Sequence, residues 1–405
     1  PVREAFERYG GDSAISRRWL DGMKVAFPFL MFAEYAANRT HARISRYCPA
    51  PALRSAAFYQ SIDELRHSQN HLYQMKMLTQ KTDGFDNWRH WRDHHFLVRP
   101  AKKTFEDLMA CDNIFEHIFA LNIGVEVTFT NLIFVGLPSV GALNGDTAMA
   151  QEMLTTQSDE TRHMAIGQST VRTLLRDERN LPLVQYWLDK WFWLHHRVDA
   201  PAVGTLVDYF AKRKHIPFKK MYKRYVVDNY LTGLVEDLAE FGVKKPWFLD
   251  TVERELDDYT HSLYRAMFQY KHVLFNKVFV PNDHDLEFFC EGYPTFEANH
   301  GRFWSQVRDG DPKDLPQLPM ICQMCQLPCV FPTPEQPSVC SREYEGQMFW
   351  FCSEPCRWIF DNEPVRYSKA VTLDRILNGK DIPEIREYMG VDRNIGGLLE
   401  AEDDI

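Results

Sequence analysis

Two five-residue segments repeat one pattern at four of their five positions: Asp63-Glu64-Leu65-Arg66-His67 and Asp159-Glu160-Thr161-Arg162-His163. Residues three apart on an α-helix share a face, so each Glu-x-x-His pair aims a carboxylate and an imidazole at one point. A single such pair is more often a solvated surface pair than a metal site. Two copies with the same flanking Asp and Arg are harder to obtain by accident. Upstream of each copy, one Glu interrupts an apolar run: Glu34 in FPFLMFAEYAA and Glu126 in LNIGVEVTFTNLIF. Glu34 precedes Glu64 by 30 residues and Glu126 precedes Glu160 by 34, enough for a helix, a turn and an antiparallel return. The first half of the chain therefore reads as two copies of Glu, hairpin, Glu-x-x-His, the arrangement by which a four-helix bundle holds two metal ions.

Carboxylates inside such apolar helices are costly unless they are paired or metal-bound. Glu34, Glu64, Glu126 and Glu160 carry four negative charges, which two divalent cations neutralise. Four oxygen donors and two neutral imidazoles, His67 and His163, suit iron or manganese better than zinc or copper and leave positions open for dioxygen. Asp63 and Asp159 precede the metal-directed Glu residues and point elsewhere. Each is placed to accept the outer ring proton of a histidine ligand, Asp63 from His163 and Asp159 from His67 by bundle symmetry. The plainer alternative pairs both Asp residues with Arg66 and Arg162.

A second cluster lies near the C-terminus, where six of the nine cysteines fall within 35 residues. Cys322-x-x-Cys325 and Cys352-x-x-x-Cys356, with 26 residues between the pairs, have the spacing of a closed tetrahedral thiolate site. One structural zinc ion suits four thiolates. Cys329 and Cys340 compete as ligands, and unmetallated buried thiols are the alternative.

The elements that must position these groups follow from periodicity and punctuation. Apolar residues recur at three and four, as in Phe29, Phe32, Ala33 and Ala36, from about Met23 to Lys277. Breaks are expected at Pro49–Pro51, Lys81–Gly84, Gly136–Pro138, Gly145–Asp146, Asn180–Pro182 and Ile216–Pro217. The fold class is mainly α, a four-helix bundle with extra helices, plus a small C-terminal α+β cysteine-rich unit. Expected boundaries are 1–308 for the helical domain, 309–319 for a linker (DGDPKDLPQLP) and 320–405 for the cysteine-rich unit. No strand is expected before about residue 318; Gln347–Cys352 reads as a strand and Glu354–Phe360 as a short helix.

A net charge of −9 without a long basic run removes the electrostatic footprint of a nucleic-acid binder. Charged residues or histidines interrupt each apolar stretch, so no membrane span is expected and the chain is expected in the cytoplasm. Pro1–Arg18 carries no apolar signal core, and the natural N-terminus is expected to lie upstream. No Gly-rich dinucleotide fingerprint follows a strand, so electrons must come from another protein.

These residues resemble the large (alpha) hydroxylase subunits of the bacterial multicomponent monooxygenases, and the resemblance includes FTNLIF at Phe129–Phe134, KPW at Lys245–Trp247 and the stretch Ile321–Tyr367. The last is most similar to the phenol hydroxylase branch, beside toluene monooxygenase. The resemblance implies a ferritin-like di-iron bundle, with two iron ions at the six-residue site and insertion of one oxygen atom of dioxygen into phenol or a related small aromatic, with a short alkene or alkane as the alternative. It implies a proton-delivering hydroxyl at Thr130, although a buried Thr also bonds the carbonyl four residues back, here that of Glu126. It also implies gating polar groups at Asn131 and Gln157, and a substrate pocket at Leu30, Ala33, Ala37, Phe105, Met109, Val125 and Phe134. Val125 and Ala33 differ from the bulkier or more polar residues of toluene monooxygenases. His71 stands where methane monooxygenase has Cys. The implied partners are beta and gamma subunits in a paired assembly, a small regulatory protein, and a flavin and iron-sulfur reductase. A radical-generating ribonucleotide reductase small subunit is the distant alternative, but that family has Asp and Tyr where this chain has Glu34 and His71.

Overall fold

Ser16 starts the first long helix: its hydroxyl accepts the Trp19 N–H at 3.2 Å and opens α1 (Arg17–Tyr47), which ends at an extended Cys48. The computed structural model describes residues 14–79, 97–269, 276–310, 321–329 and 340–370, with residues 4, 7, 8, 95, 271, 274, 372 and 397–399. After Pro49 the chain turns into α2 (Pro51–Thr79) and later α3 (Arg99–Met109). Asn113 accepts the N–H groups of Phe115 and Glu116 and opens α4 (Ile114–Leu143). Gly145 then adopts φ +90°, a conformation costly for any other residue type but Asn or Asp. Its neighbour Asp146 caps α5 (Thr147–Leu175) through the Met149 N–H at 3.0 Å and takes the Trp19 indole N–H at 3.1 Å, tying α5 to α1. Helices α1, α2, α4 and α5 form the bundle, and α6 (Leu181–Thr205) packs across α4.

Two features of α4 differ from the sequence expectation. Gly136–Pro138 does not break it. From Ala120 to Gly136 the helix takes the wider i→i+5 register, in which the Leu137 N–H reaches the Leu132 carbonyl, and Pro138 falls in the first turn of the α-helical continuation, where a missing N–H costs little. Glu126 also does not keep α4 from being long and apolar enough to cross a membrane. However, 88% of its most apolar window is buried inside the protein, so its character is that of a core helix.

Helix α7 (residues 218–238) and α8 (Tyr259–Gln269) follow, with shorter helices at Leu249–Glu255, Asp283–Gly292 and Arg302–Arg308. Contrary to expectation, a short strand precedes residue 318: β1 (Lys277–Val278) pairs in parallel with β4 (Gly397–Leu398). A two-residue strand with a partner 120 positions away leaves no periodic trace in sequence. In the cysteine-rich unit, β2 (Cys340–Tyr344) and β3 (Gln347–Phe351) form an antiparallel hairpin with Cys340 opposite Phe351, followed by α9 (Glu354–Asn362). The apolar core is continuous from the bundle into this unit. Tyr186 and Trp358 rings meet at 5.3 Å, and buried Lys190 of α6 joins Glu116 at 3.0 Å and Glu363. Residues 311–319 of the expected linker and the expected Lys81–Gly84 break lie outside the described residues.

Candidate metal centre

The structure brings the six sequence-selected residues together, one Glu each from α1 and α4 and one Glu-x-x-His each from α2 and α5. All six are at most 4% exposed. Two sets of donor atoms lie within 4.8 Å of one another: Glu34, Glu64, His67 and Glu160, and Glu64, Glu126, Glu160 and His163. Glu64 and Glu160 belong to both sets, so the arrangement is a pair of adjacent sites sharing two carboxylates. His67 Nδ1 lies 3.2 Å from Glu160 Oε1, 3.5 Å from Glu64 Oε2 and 3.6 Å from Glu34 Oε2. His163 Nδ1 lies 2.7 Å from Glu160 Oε2 and 3.4 Å from both Glu64 Oε1 and Glu126 Oε1.

Both rings turn Nδ1 inward and Nε2 outward. His67 Nε2 meets Asp159 Oδ2 at 3.1 Å, and His163 Nε2 meets Asp63 Oδ2 at 3.4 Å, each across the bundle. The two readings of these aspartates coexist. Arg66 also donates to Asp159, and Arg162 donates to Asp159 at 2.7 Å and to Asp63 at 3.0 Å. Each imidazole thus has a carboxylate behind it, and each carboxylate has a guanidinium behind that.

With protons as the only cations, this cluster draws in positive charge. Burial pushes the Glu64 carboxyl up to about 7, with Glu160 and Glu34 beside it adding to the rise. Burial likewise raises Glu126 well above the usual carboxylate range. Burial opposes charging His67, yet the carboxylates of Glu160, Glu34 and Glu64 packed around its Nδ1 push its imidazole up to about 12. Burial opposes charging His163 as well, yet the negative charges of Glu64 and Glu160, with Asp63 and Glu126 against the ring, raise it well above its ordinary value, and Glu160, buried beside both rings, is held low by them. Glu34 Oε1, Glu160 Oε1 and His67 Nδ1 are buried without a hydrogen-bond partner. Buried acceptors that converge without donors are what a cation site requires.

Thr130, one turn after Glu126, donates its hydroxyl to Glu126 Oε2 rather than to the Glu126 carbonyl. That carbonyl takes the Asn131 side-chain amide Nδ2 at 3.3 Å. Gln157 is half-buried on α5. A cavity abuts Glu34, Glu64, Glu126 and Glu160 and is lined by Ala33, Ala37, Phe105, Val125 and Phe134. Two expected pocket residues lie elsewhere. Leu30 lines a separate, larger apolar cavity between α1, α4 and α6, one helical turn away from the site wall. Met109 lines neither cavity, because it ends α3 and packs half-buried against the core. Leu121 and Phe129 line the site cavity and were missed, although their i, i+4 and i+3 spacing from Val125 and Glu126 places them on the same face. Phe129 meets Phe29, from the wall of the larger cavity, edge to face at 5.7 Å.

His71 sits buried between Glu34 Oε1 at 3.6 Å and Glu152 Oε1 at 3.5 Å. Glu152 was also missed, and its signal was the four-residue spacing of Glu152, Thr156 and Glu160 along one face of α5.

In the cysteine-rich unit, Cys322, Cys325, Cys352 and Cys356 place their sulfurs within 4.8 Å of one another. Cys329 and Cys340 are not part of this group. The Trp193 indole N–H of α6 donates to Cys356 Sγ at 3.1 Å, and Arg197, bound to Glu255 at 2.7 Å, also reaches Ser353 beside Cys352.

The family model described as Methane/Phenol/Alkene Hydroxylase matches residues 1–178, which contain all six residues of the centre, and the YHS domain model matches residues 329–371. The chain is 31% identical to the phenol 2-monooxygenase oxygenase component DmpN of Pseudomonas sp. (strain CF600), over 91% of this chain and 73% of that protein. It is 26% identical to the propane 2-monooxygenase hydroxylase component large subunit of Gordonia sp. (strain TY-5), over 95% of this chain and 76% of that protein. Among solved structures, xenon-pressurized phenol hydroxylase from Pseudomonas sp. OX1 superposes with a TM-score of 0.90 at 26% identity, covering 98% of this chain and 84% of that one. The two-site carboxylate cluster, the helical fold around it and these likenesses agree: the chain belongs to the methane/phenol/alkene hydroxylase family, as a monooxygenase hydroxylase large subunit of the phenol hydroxylase branch.

Proposed function

We propose that this chain hydroxylates phenol or a related small aromatic at a di-iron centre held by Glu34, Glu64, His67, Glu126, Glu160 and His163. The observation that carries the reading is the apolar, aromatic-lined cavity directly against four converging carboxylates. Four carboxylates and two imidazoles suit two ferrous ions in charge and in donor type. Two irons bound there supply dioxygen activation. The chain's own groups do the rest. Asp63 and Asp159 fix the tautomer and orientation of the imidazoles. Thr130 holds a proton at Glu126 Oε2 on the cavity side. Phe105, Phe129 and Phe134 exclude water and present aromatic edges to a planar substrate. Asn131 and Gln157 are assigned to the polar approach to the centre. The four-cysteine group holds one structural zinc ion and fastens the unit 320–405 to α6, with 309–319 as the connection.

Electrons come from a separate flavin and iron-sulfur reductase, and a small regulatory protein and beta and gamma subunits complete a paired, cytoplasmic assembly. The exposed face of α2 supports a large protein interface. Phe58, Tyr59, Ile62, Leu65, Leu72 and Tyr73 are 37–66% exposed there, with Arg54, Arg66 and Lys76 among them and no exposed acid on α1 or α2. The relatives' designation as large subunits agrees with a companion subunit. The burial of α4 inside the bundle gives it the part of a core helix.

Product analysis on phenol, toluene, propene and propane with the purified component set tests the reading. Hydroxylated phenol should form fastest. Faster turnover of propene or propane would move the substrate to the alkene or alkane side of the family.

A further inference from the structure

Among the described residues, Glu64 is the one carboxylate of the four that accepts a side-chain amide N–H. Gln60, one turn earlier on α2, donates from Nε2 to Glu64 Oε1 at 3.1 Å. The Gln60 carbonyl in turn accepts from Asn122 Nδ2 at 2.7 Å, and Asn122 stands one turn before Glu126 on α4. Asn122 Nδ2 spends its other hydrogen on the His163 backbone carbonyl of α5 at 2.8 Å. Gln60 and Asn122 are essentially unexposed, so no water competes for these bonds. Three helices of the bundle are joined by two amides.

The orientation of both amides is over-determined. Two acceptors face Asn122 Nδ2, so its nitrogen must point toward Gln60 and His163. That fixes the Gln60 oxygen toward Asn122 and its nitrogen toward Glu64. Rotating Gln60 by half a turn would set oxygen against carboxylate and nitrogen against nitrogen, leaving buried polar groups unpaired. Glu64 Oε1 is therefore held on the His163 side, 3.4 Å from Nδ1, while Oε2 stays on the His67 side at 3.5 Å. Gly167 makes this geometry accessible. The His163 carbonyl is the one an α-helix pairs with the Gly167 N–H, and a Cβ at 167 would stand 2.7 Å from Asn122 Cβ and 2.9 Å from its carbonyl oxygen. Only a bare backbone lets α5 approach closely enough for Asn122 to share that carbonyl.

We propose that Gln60 and Asn122 are positioning residues that set Glu64 across the two metal sites, with Gly167 as the cradle that admits Asn122. The assignment rests on Glu64 being a shared metal carboxylate. Its test is ferrous-iron titration of the hydroxylase, with near-infrared circular dichroism of the ferrous protein and steady-state kinetics on phenol. Gln60→Met keeps the length of the side chain and removes the donor. Asn122→Asp keeps the shape and replaces the donor by acceptors, so Gln60 turns its N–H toward the new carboxylate and its oxygen toward Glu64.

Each substitution should lower ferrous affinity about tenfold, the lower end for a changed metal-ligand partner, shift the ferrous dichroism and reduce kcat with KM retained. Wild-type affinity and an unchanged spectrum in both would overturn the assignment. Glu64→Ala run in parallel separates the two levels. Loss of iron there without loss in the other two variants removes the amide pair alone, whereas full iron in all three removes the metal reading with it. Should Asn122→Asp fail to fold by far-ultraviolet dichroism, Gln60→Met decides the matter.

Discussion

Asp159→Asn and Asp63→Asn change the same atom in equivalent places, yet their consequences should differ. Asp159 is the more buried, at 10% side-chain exposure against 21% for Asp63. It meets His67 Nε2 at 3.1 Å, takes Arg66 on the same oxygen and Arg162 at 2.7 Å on the other, whereas Asp63 meets His163 at 3.4 Å and Arg162 at 3.0 Å. An Asn at 159 offers one carbonyl oxygen for three donors and turns an NH2 toward an arginine. Two charge-assisted hydrogen bonds go, at about 1.5–3 kcal/mol each, part of which exposed Arg66 and Arg162 recover in water. The remainder falls on the His67 tautomer, and ferrous affinity should drop by roughly 10–100-fold. Asp63→Asn loses a longer, better solvated contact and should cost less than tenfold by the same reasoning. Parallel iron titrations followed by isothermal calorimetry measure both. Equal losses, or a larger loss at Asp63, would refute the claim that these aspartates act through the imidazoles they face.

Cys322→Ser should remove zinc and lower the melting temperature while the iron content stays intact, measured by elemental analysis and calorimetry; loss of iron instead would show the two centres are interdependent. A pH effect is expected at Asp199, fully buried on α6, where burial pushes the carboxyl up to about 8. Below the unfolded value near 4 both states are protonated; as pH rises toward 8 the unfolded chain ionises first, and the native state loses stability relative to it. Asp199→Asn removes that penalty, on the order of 5 kcal/mol at most by pH 8, so its melting-temperature advantage over wild type should grow from pH 5 to pH 8. A constant advantage would place the Asp199 carboxyl in its ordinary range.

Much of the centre was legible because function imposes a repeated spacing. Glu34 and Glu126 stand out against apolar neighbours, and the two Asp-Glu-x-Arg-His segments announce each other. What was not legible depends on contacts between helices. Gln60 and Asn122 carry no pattern of their own, and their meaning appears only once Gly167 brings α4 and α5 together. The i→i+5 register of α4 was equally hidden: it carries the helix through Gly136–Pro138, and beside it the Asn131 side chain takes the Glu126 carbonyl while the Thr130 hydroxyl turns to the carboxylate. Leu30 was assigned to the site cavity by the family resemblance, but the structure turns it to the neighbouring cavity, with Phe29 and Phe129 in contact between the two. Strand β1 was invisible because its partner is remote in sequence.

The central claim is that six residues from four helices hold two irons. Mössbauer spectroscopy with quantitative iron analysis on the purified hydroxylase, wild type beside Glu126→Ala, tests it most directly. Expected are two irons per wild-type chain with the signature of a coupled pair, and loss of that signature with reduced iron in the variant. A wild-type protein without a coupled iron pair, or a Glu126→Ala protein that keeps two coupled irons and full hydroxylation, would contradict it.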